Sequence, residues 1–373
     1  MGVSKVDFAG NTLIDLTGDS VTPGTLLEGA TAHNAAGDQI AGVLKTGTEL
    51  KIIVSVTSGA TVTAIKGSLS VSGTSIDGTC TLTVPEEGEW MVSATLGGET
   101  SVVEIVTISS STDVYLPFVS STLDDNSWET ISLISDKDQG ANYWAVGDTK
   151  KVTLNGTVGI RTFTNYETYA FILGFNHNSG VEGEHRIHFE LGKTAKINGI
   201  DVCYCDEKYF STPNAASFCM NTSATTAGGW KESYARKNIC GENVTDANTI
   251  VSALPEDLRN KLKVVIKWTH DGKGTQTQSA TQDIMFYKSE YETFGTNVYA
   301  GGIEAKYQKQ YEYYSAGNST IIYKDQSTST AARCWLRSPR WDSGTDFVFI
   351  YTNGKTVANN ATFSLGIAPC FCV

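Results

Sequence analysis

Charge is scarce in this chain, and basic charge scarcest. Asp, Glu, Lys and Arg make up 18% of the 373 residues, and 28 basic residues face 40 acidic ones for a formal net charge of -12. A chain so acidic repels phosphate backbones and anionic membranes, which argues against nucleic-acid and lipid-surface binding. No stretch reaches the roughly 20 apolar residues that a membrane-spanning helix needs, so no membrane insertion is expected. Met1 to Gly10 holds no basic segment followed by an apolar run. No secretory signal is therefore expected, and the chain is expected to be made and assembled in the cytoplasm.

The eight cysteines lack the spacing of zinc or redox sites. Cys203 and Cys205, like Cys370 and Cys372, stand one residue apart, which in a strand puts both on one face. Buried thiols are expected, ahead of disulfides or a metal site. Neither a metal nor any other cofactor is expected. Asn-x-Ser/Thr triplets such as Asn243-Val244-Thr245 are read as chance in a chain rich in Asn and Thr.

What is present is turn-rich and β-prone: 40% hydrophobic residues with abundant Gly, Ser, Thr and Asn, enough for several cores in a multidomain, β-rich fold. Residues 1–46 form a first unit, with a short strand at Thr12 to Leu16, a helical turn capped at Thr22-Pro23, and two short strands about the turn Asn34 to Asp38. So short a unit cannot fill a core alone. It is either a flexible leader or a piece completed by a partner, and in the second case an oligomer, a trimer by expectation, is implied. Lys45 to Thr48 reads as a linker. Residues 47–112 read as a small Ig-like β-sandwich, with Leu50 to Val56 as a strand, Asp77-Gly78 as a hairpin turn, Trp90 to Leu96 as a strand and Gly97-Gly98 as a second hairpin. Residues 113–373 read as an α+β domain. Asn126 caps a helix that turns Trp128, Ile131 and Ile134 to one side. His185 to Leu191 alternates, with Ile187, Phe189 and Leu191 on one face and Arg186, His188 and Glu190 on the other. Strands are expected at Lys263 to Thr269 and Asp283 to Tyr287, and Ser289 and Glu292 have capping-box spacing.

Three groups of segments resemble known families. Thr12-Leu-Ile-Asp-Leu-Thr17, Val21-Thr-Pro23, Leu26-Leu-Glu-Gly-Ala-Thr-Ala-His33 and Gly37-Asp-Gln-Ile-Ala-Gly42 resemble a motif near the N-termini of fibre and tail proteins in phages of Gram-positive bacteria. Ser58-Gly-Ala-Thr-Val-Thr63, Asp77-Gly-Thr-Cys-Thr-Leu-Thr-Val-Pro85 and Gly88-Glu-Trp90 are similar to carboxypeptidase-regulatory-like sandwiches of the same proteins. Trp128-Glu-Thr-Ile131, Val146-Gly-Asp148, Gly174-Phe-Asn-His177, Leu254-Pro255, Ser289-Glu-Tyr-Glu292, Trp335-Leu-Arg-Ser-Pro339 and Ala368-Pro-Cys-Phe-Cys-Val373 resemble an uncharacterised domain of prophage and surface proteins from gut Firmicutes. That domain in turn resembles the C-type-lectin-like fold. The resemblance implies a virion component, of tail-fibre, tail-tip or head-fibre type. It would be anchored to other virion proteins by its N-terminus and would display its C-terminal domain to a host-surface glycan or protein. It carries no catalytic residue over. A purely structural decoration protein and a glycan-degrading tailspike enzyme are the alternatives.

Few residues suggest a site. Asp124 and Asp125 sit at a helix start, where acids suit the dipole, and lack a placeable second carboxylate. His185 and His188 fall on opposite strand faces and cannot share an ion there, while His177 reads as a structural hydrogen-bonding residue. Tyr311, Tyr313, Tyr314 and Tyr323 are either a half-buried cluster or a stacking surface for sugars. The segment from Arg337 to Gly344 holds Pro, Gly, charges and Trp341 between two strands, and reads as an exposed loop. There Trp341, flanked by Arg340 and Asp342 and with Arg337 nearby, would meet a carbohydrate or protein, unless the loop folds back on its own domain.

Overall fold

In a computed structural model of the chain, the structure describes residues 2–44, 49–193, 201–204, 218–273, 275, 277–324 and 329–373. The linker at Lys45 to Thr48 and the Cys205 half of the Cys203/Cys205 pair lie outside these. The protein is multidomain and β-rich, with two compact units, Met1–Phe118 and Val119–Val373.

The first 44 residues make two antiparallel strand pairs, Lys5–Phe8 with Asn11–Asp15 and Thr31–His33 with Gln39–Ala41. Between them a 3-10 turn, Pro23–Thr25, is closed by reciprocal bonding of Thr22 and Thr25. Among the described residues here no apolar side chain is buried, and Phe8, Leu13, Ile14, Leu27 and Val43 are all exposed. Alternation in the first pair puts Val6 opposite Ile14, while Lys5 pairs with Asp7 and Asp15 on the other face.

A second part of this unit is a two-sheet sandwich. One sheet orders Glu99–Thr100, Gly88–Leu96, Thr61–Lys66 and Leu69–Thr74, with Glu104–Ile108 also along Gly88–Leu96. The other sets Leu50–Ser55 between Thr79–Val84 and Thr112–Tyr115, the last parallel to it. Period-two alternation drives Ile52, Val54, Val62, Ala64, Leu82, Trp90 and Val92 into one core. The Asp77-Gly78 turn forms, with both residues at positive φ, but it does not close a hairpin of one sheet as expected. After the single bridge Ile76–Thr79 the chain crosses from one sheet to the other.

The larger unit is an α+β structure. Thr149–Val158 and Arg161–Phe175 form a long hairpin, followed in the sheet by Ile187–Lys193, Asp201–Val202 and Ile322–Tyr323. The C-terminal strand Cys370–Cys372 pairs with Ile187–Lys193. The helix Trp128–Asp136 covers this junction, with Trp128 edge-on to Phe189 and Phe371. Its N-cap is Ser127, whose side chain accepts from Thr130 N–H, and not Asn126. Asn126 instead is buried and bonds across the preceding turn to Ser120 and Thr122. A two-stranded ribbon, Val265–His270 with Gln278–Asp283, and a three-stranded sheet, Cys334–Pro339, Asp346–Ile350 and Thr356–Asn360, complete the unit. The strand expected at Asp283 to Tyr287 is displaced toward the N-terminus, since the ribbon's partner strand ends at Asp283 and Phe286 makes only a bridge to Cys370. The seven described cysteines are free and buried.

Candidate functional site

The interior of the larger unit holds an ionic network that alternation alone did not foretell. Along Val265–His270, Val265, Lys267 and Thr269 are buried, while Ile266 and Trp268 are half-exposed. The Lys267 ammonium donates to Glu182, to Glu292 Oε1 (2.9 Å) and to Tyr311 OH (2.9 Å). Arg337 grips Glu292 with both terminal nitrogens, and also donates to Tyr287 O (2.8 Å) and Thr269 Oγ1 (3.2 Å). Ser289 caps the helix Glu290–Phe294 and Glu292 closes the capping box, so the box also orients the carboxylate that meets Arg337.

Burial lifts the carboxyl of Glu182 to about 7 against the pull of Lys267. Burial acts on Glu292 too, but Arg337 and Lys267 outweigh it and hold that carboxyl well below its usual range. Among the described residues no cation is in contact with Glu304. Ser338 Oγ (2.5 Å) and Gln308 Nε2 (3.3 Å) donate to its Oε1, and burial raises it to about 8. Burial, with Lys267 nearby, drops His177 to about 3, so its ring is neutral and stacks on Tyr311 at 3.9 Å. The two cations, Lys267 and Arg337, are each paired with a carboxylate, as burial demands, while Glu304 is held by hydrogen bonds alone.

Sequence reasoning placed Arg337 and Ser338 in an exposed loop. Both are fully buried, because the strand Cys334–Pro339 runs past Arg337 to its ion pair. His188 and Glu190, on the strand face opposite Ile187, Phe189 and Leu191, are buried as well. Lys288 pairs with Glu190, Tyr314 OH donates to it (2.8 Å), and Tyr311 covers His188 (3.1 Å). Tyr311, Tyr313 and Tyr314 thus line the interior and offer no sugar surface. His177, Glu182 and Glu292 place donor atoms within 4.8 Å of one another, a spacing that suits a cation. That position is served by the Lys267 ammonium, which binds both carboxylates.

The rest of the predicted loop is at the surface. Trp341 is 52% exposed. Arg340 and Asp342 beside it are committed to each other, Nε to Oδ1 at 2.6 Å and Nη2 to Oδ2 at 3.2 Å. Trp341 and Asp342 line a cleft of about 570 Å³ with His270, Lys273, Thr275, Gly301, Gly302 and Ile303.

The walls of this cleft are tied together. Thr226 donates from N–H to Gly344 O (2.8 Å) and from Oγ1 to Ser343 O (3.1 Å), and its hydroxyl accepts from Lys273 N–H (3.4 Å). His270 Nδ1 accepts from Gly272 N–H (3.1 Å) and its Nε2 lies 3.0 Å from Thr275 O, so the ring braces the loop. Gly301, at φ 77°, passes so close that a Cβ would stand 3.0 Å from Trp341 Cβ, and Trp341 N–H donates to Tyr299 O (2.9 Å). The indole is therefore rooted at its base and open on its face. Of the residues singled out in the sequence, Trp341 and Asp342 line the cleft, and Arg340 and Arg337 do not. Sequence reasoning missed Lys273, Thr275, Gly301 and Ile303, whose only signal was the glycine pair Gly301-Gly302 between charged segments.

No curated protein matches the chain. Residues 212–373, which carry every residue of the cleft and most of the ionic network, match a family described as a domain of unknown function (DUF6273).

Proposed function

We propose that this chain is a non-enzymatic display protein of a phage-type particle, anchored through its first 44 residues and adhering to a host-surface ligand through the Trp341 cleft. The observation that carries the adhesive part is the indole of Trp341, half-exposed over a cleft whose walls are fixed by hydrogen bonds. Large aromatic faces held rigid at the surface supply contact area at little entropic cost. Polar groups at the rim, Lys273, Thr275 and Asp342, can orient what lies on the ring. The N-terminal strand pairs support the anchoring part, since their apolar side chains have no cover of their own. Repeated copies on one particle would raise avidity without high affinity at each site.

The test is adsorption of the intact protein to host cells, with Trp341→Ala compared in parallel. A strong loss of adsorption at unchanged melting temperature is expected. Adsorption that survives the substitution would remove the cleft from the adhesive surface.

A further inference from the structure

The cleft does not end at Trp341. The 3-10 segment Gly302–Tyr307 leaves it along the flank of Val265–His270, fastened by Gln278 Nε2 to Ile303 O and by Gln308 Nε2 to Trp268 O (2.7 Å). At its far end Tyr307 lies against Trp268, ring centroids 4.4 Å apart and planes at 31°, both partly buried with an edge open to solvent. Trp268 and the cleft residue His270 are two apart on one strand and share a face. From Ile303 to Tyr307 a 3-10 path covers roughly 8 Å at about 2.0 Å per residue. Two aromatic platforms thus stand at the ends of one short track, with Ile303 between them.

The charges along this track are of one kind where they are uncommitted. Lys273 is exposed at the Trp341 end, and Lys306 is exposed at the other, its Nζ 4.8 Å from the Tyr307 ring centroid. Among the described residues, neither amine lies within ion-pair distance of a carboxylate. Asp342, which shares the cleft with Lys273, is held in the two-bond pair with Arg340, and Glu304 is buried. Two ammonium groups without an ion pair among the described residues thus bracket the two aromatic platforms.

We propose that the track from Trp341 to Trp268 and Tyr307 binds a linear glycan bearing carboxylate or phosphate groups, several sugar units at a time. Sugar rings lie on the Trp341 and Trp268 surfaces, and Lys273 and Lys306 meet acidic groups at the two ends. This rests on the adhesive reading of the Trp341 cleft and adds the ligand's chemistry and length.

The probe is an array of defined linear oligosaccharides, from disaccharide to octasaccharide, in neutral, uronic-acid and phosphate-bearing series, with acidic peptides as a control set. Retention of the intact protein on acidic chains, rising with chain length and falling with added salt, is expected. Trp268→Ala and the double substitution Lys273→Gln with Lys306→Gln should each lower affinity for long acidic chains about tenfold, the scale of one lost aromatic contact or two exposed ion pairs. Trp268→Ala should leave disaccharide binding at the Trp341 end unchanged. If Trp341→Ala abolishes binding while Trp268→Ala and the lysine pair do nothing, the cleft reading stands and the extended acidic track is overturned. Equal retention of neutral chains, or preference for the acidic peptides, overturns the glycan assignment. No retention in any series overturns it as well.

Discussion

Arg337 and Trp341 are four residues apart and should fail in opposite ways. Arg337 is buried against Glu292, so Arg337→Ala strands a carboxylate that has lost its bidentate partner. Breaking a buried pair from one side costs about 3–5 kcal/mol, and a large drop in melting temperature is expected. Trp341→Ala removes a surface indole and should change stability by less than about 1 kcal/mol while weakening adsorption. Thermal melts and adsorption assays on both variants check this, and a stable, non-adsorbing Arg337→Ala would contradict it.

Glu304 makes a prediction about pH. Its carboxyl is raised by burial from 4.5 to about 8, so the folded state holds a proton that the unfolded state releases. Its contribution is fully present below pH 4.5 and is lost as pH rises through 8. His177 works the other way: lowered to about 3, it stabilises above 6.5 and loses that as pH falls. Above pH 6.5 the histidine no longer varies; Glu304 dominates, and Glu182, raised by burial to about 7, adds a smaller fall in the lower part of the range. Stability should therefore fall by about 3 kcal/mol between pH 6.5 and 8.5, about 2 kcal/mol of it from Glu304. Glu304→Gln should flatten that slope, because an amide can keep the Ser338 bond without titrating. Melting curves across this range provide the check, and an equal slope in the variant would rule Glu304 out as the cause.

At the scale of elements, the N-terminal strand pairs are the exposed liability of the chain. Their turns and register are well specified, yet Phe8, Leu13, Ile14 and Val43 face solvent. Deleting residues 1–44 should leave the melting of the rest unchanged and convert a self-associated species into a monomer. Light scattering on both forms decides this: a full-length chain already monomeric at micromolar concentration would assign the cover to a different protein. Element identity was readable where local chemistry decides it. The capping box at Ser289 and Glu292, the Thr22-Pro23 turn and the Trp128 helix all follow from short-range hydrogen bonding and one apolar stripe. Ile187–Lys193 shows where local reading stops. Its polar alternate face is covered by Lys288, Tyr311 and Tyr314, which arrive from more than ninety residues away.

On the scale of the whole molecule, the segment that matches the family model is smaller than the unit that folds. Residues 212–373 match, but the C-terminal strand pairs with Ile187–Lys193, Lys267 needs Glu182, and Phe371 packs on Trp128 and Phe189. A fragment of residues 212–373 should therefore remain unfolded, with Lys267 and the Cys370–Cys372 strand short of their partners. A fragment of residues 119–373 should fold with a cooperative transition. Circular dichroism and limited proteolysis of the two fragments test this directly.

The sequence by itself determined the β-rich class, the buried character of the described cysteines, the Ser289 capping box and the Thr22-Pro23 turn. Each depends on composition, on period-two patterning or on contacts within a few residues, and such information is local. Only the tertiary structure decided that Arg337 belongs to the core, that Glu182, Lys267 and Glu292 form one network, and that Trp341 shares a surface track with Trp268 and Tyr307. These juxtapositions join residues scores of positions apart. A charged side chain looks the same in sequence whether water or a buried counterion will meet it, and only chain topology settles which.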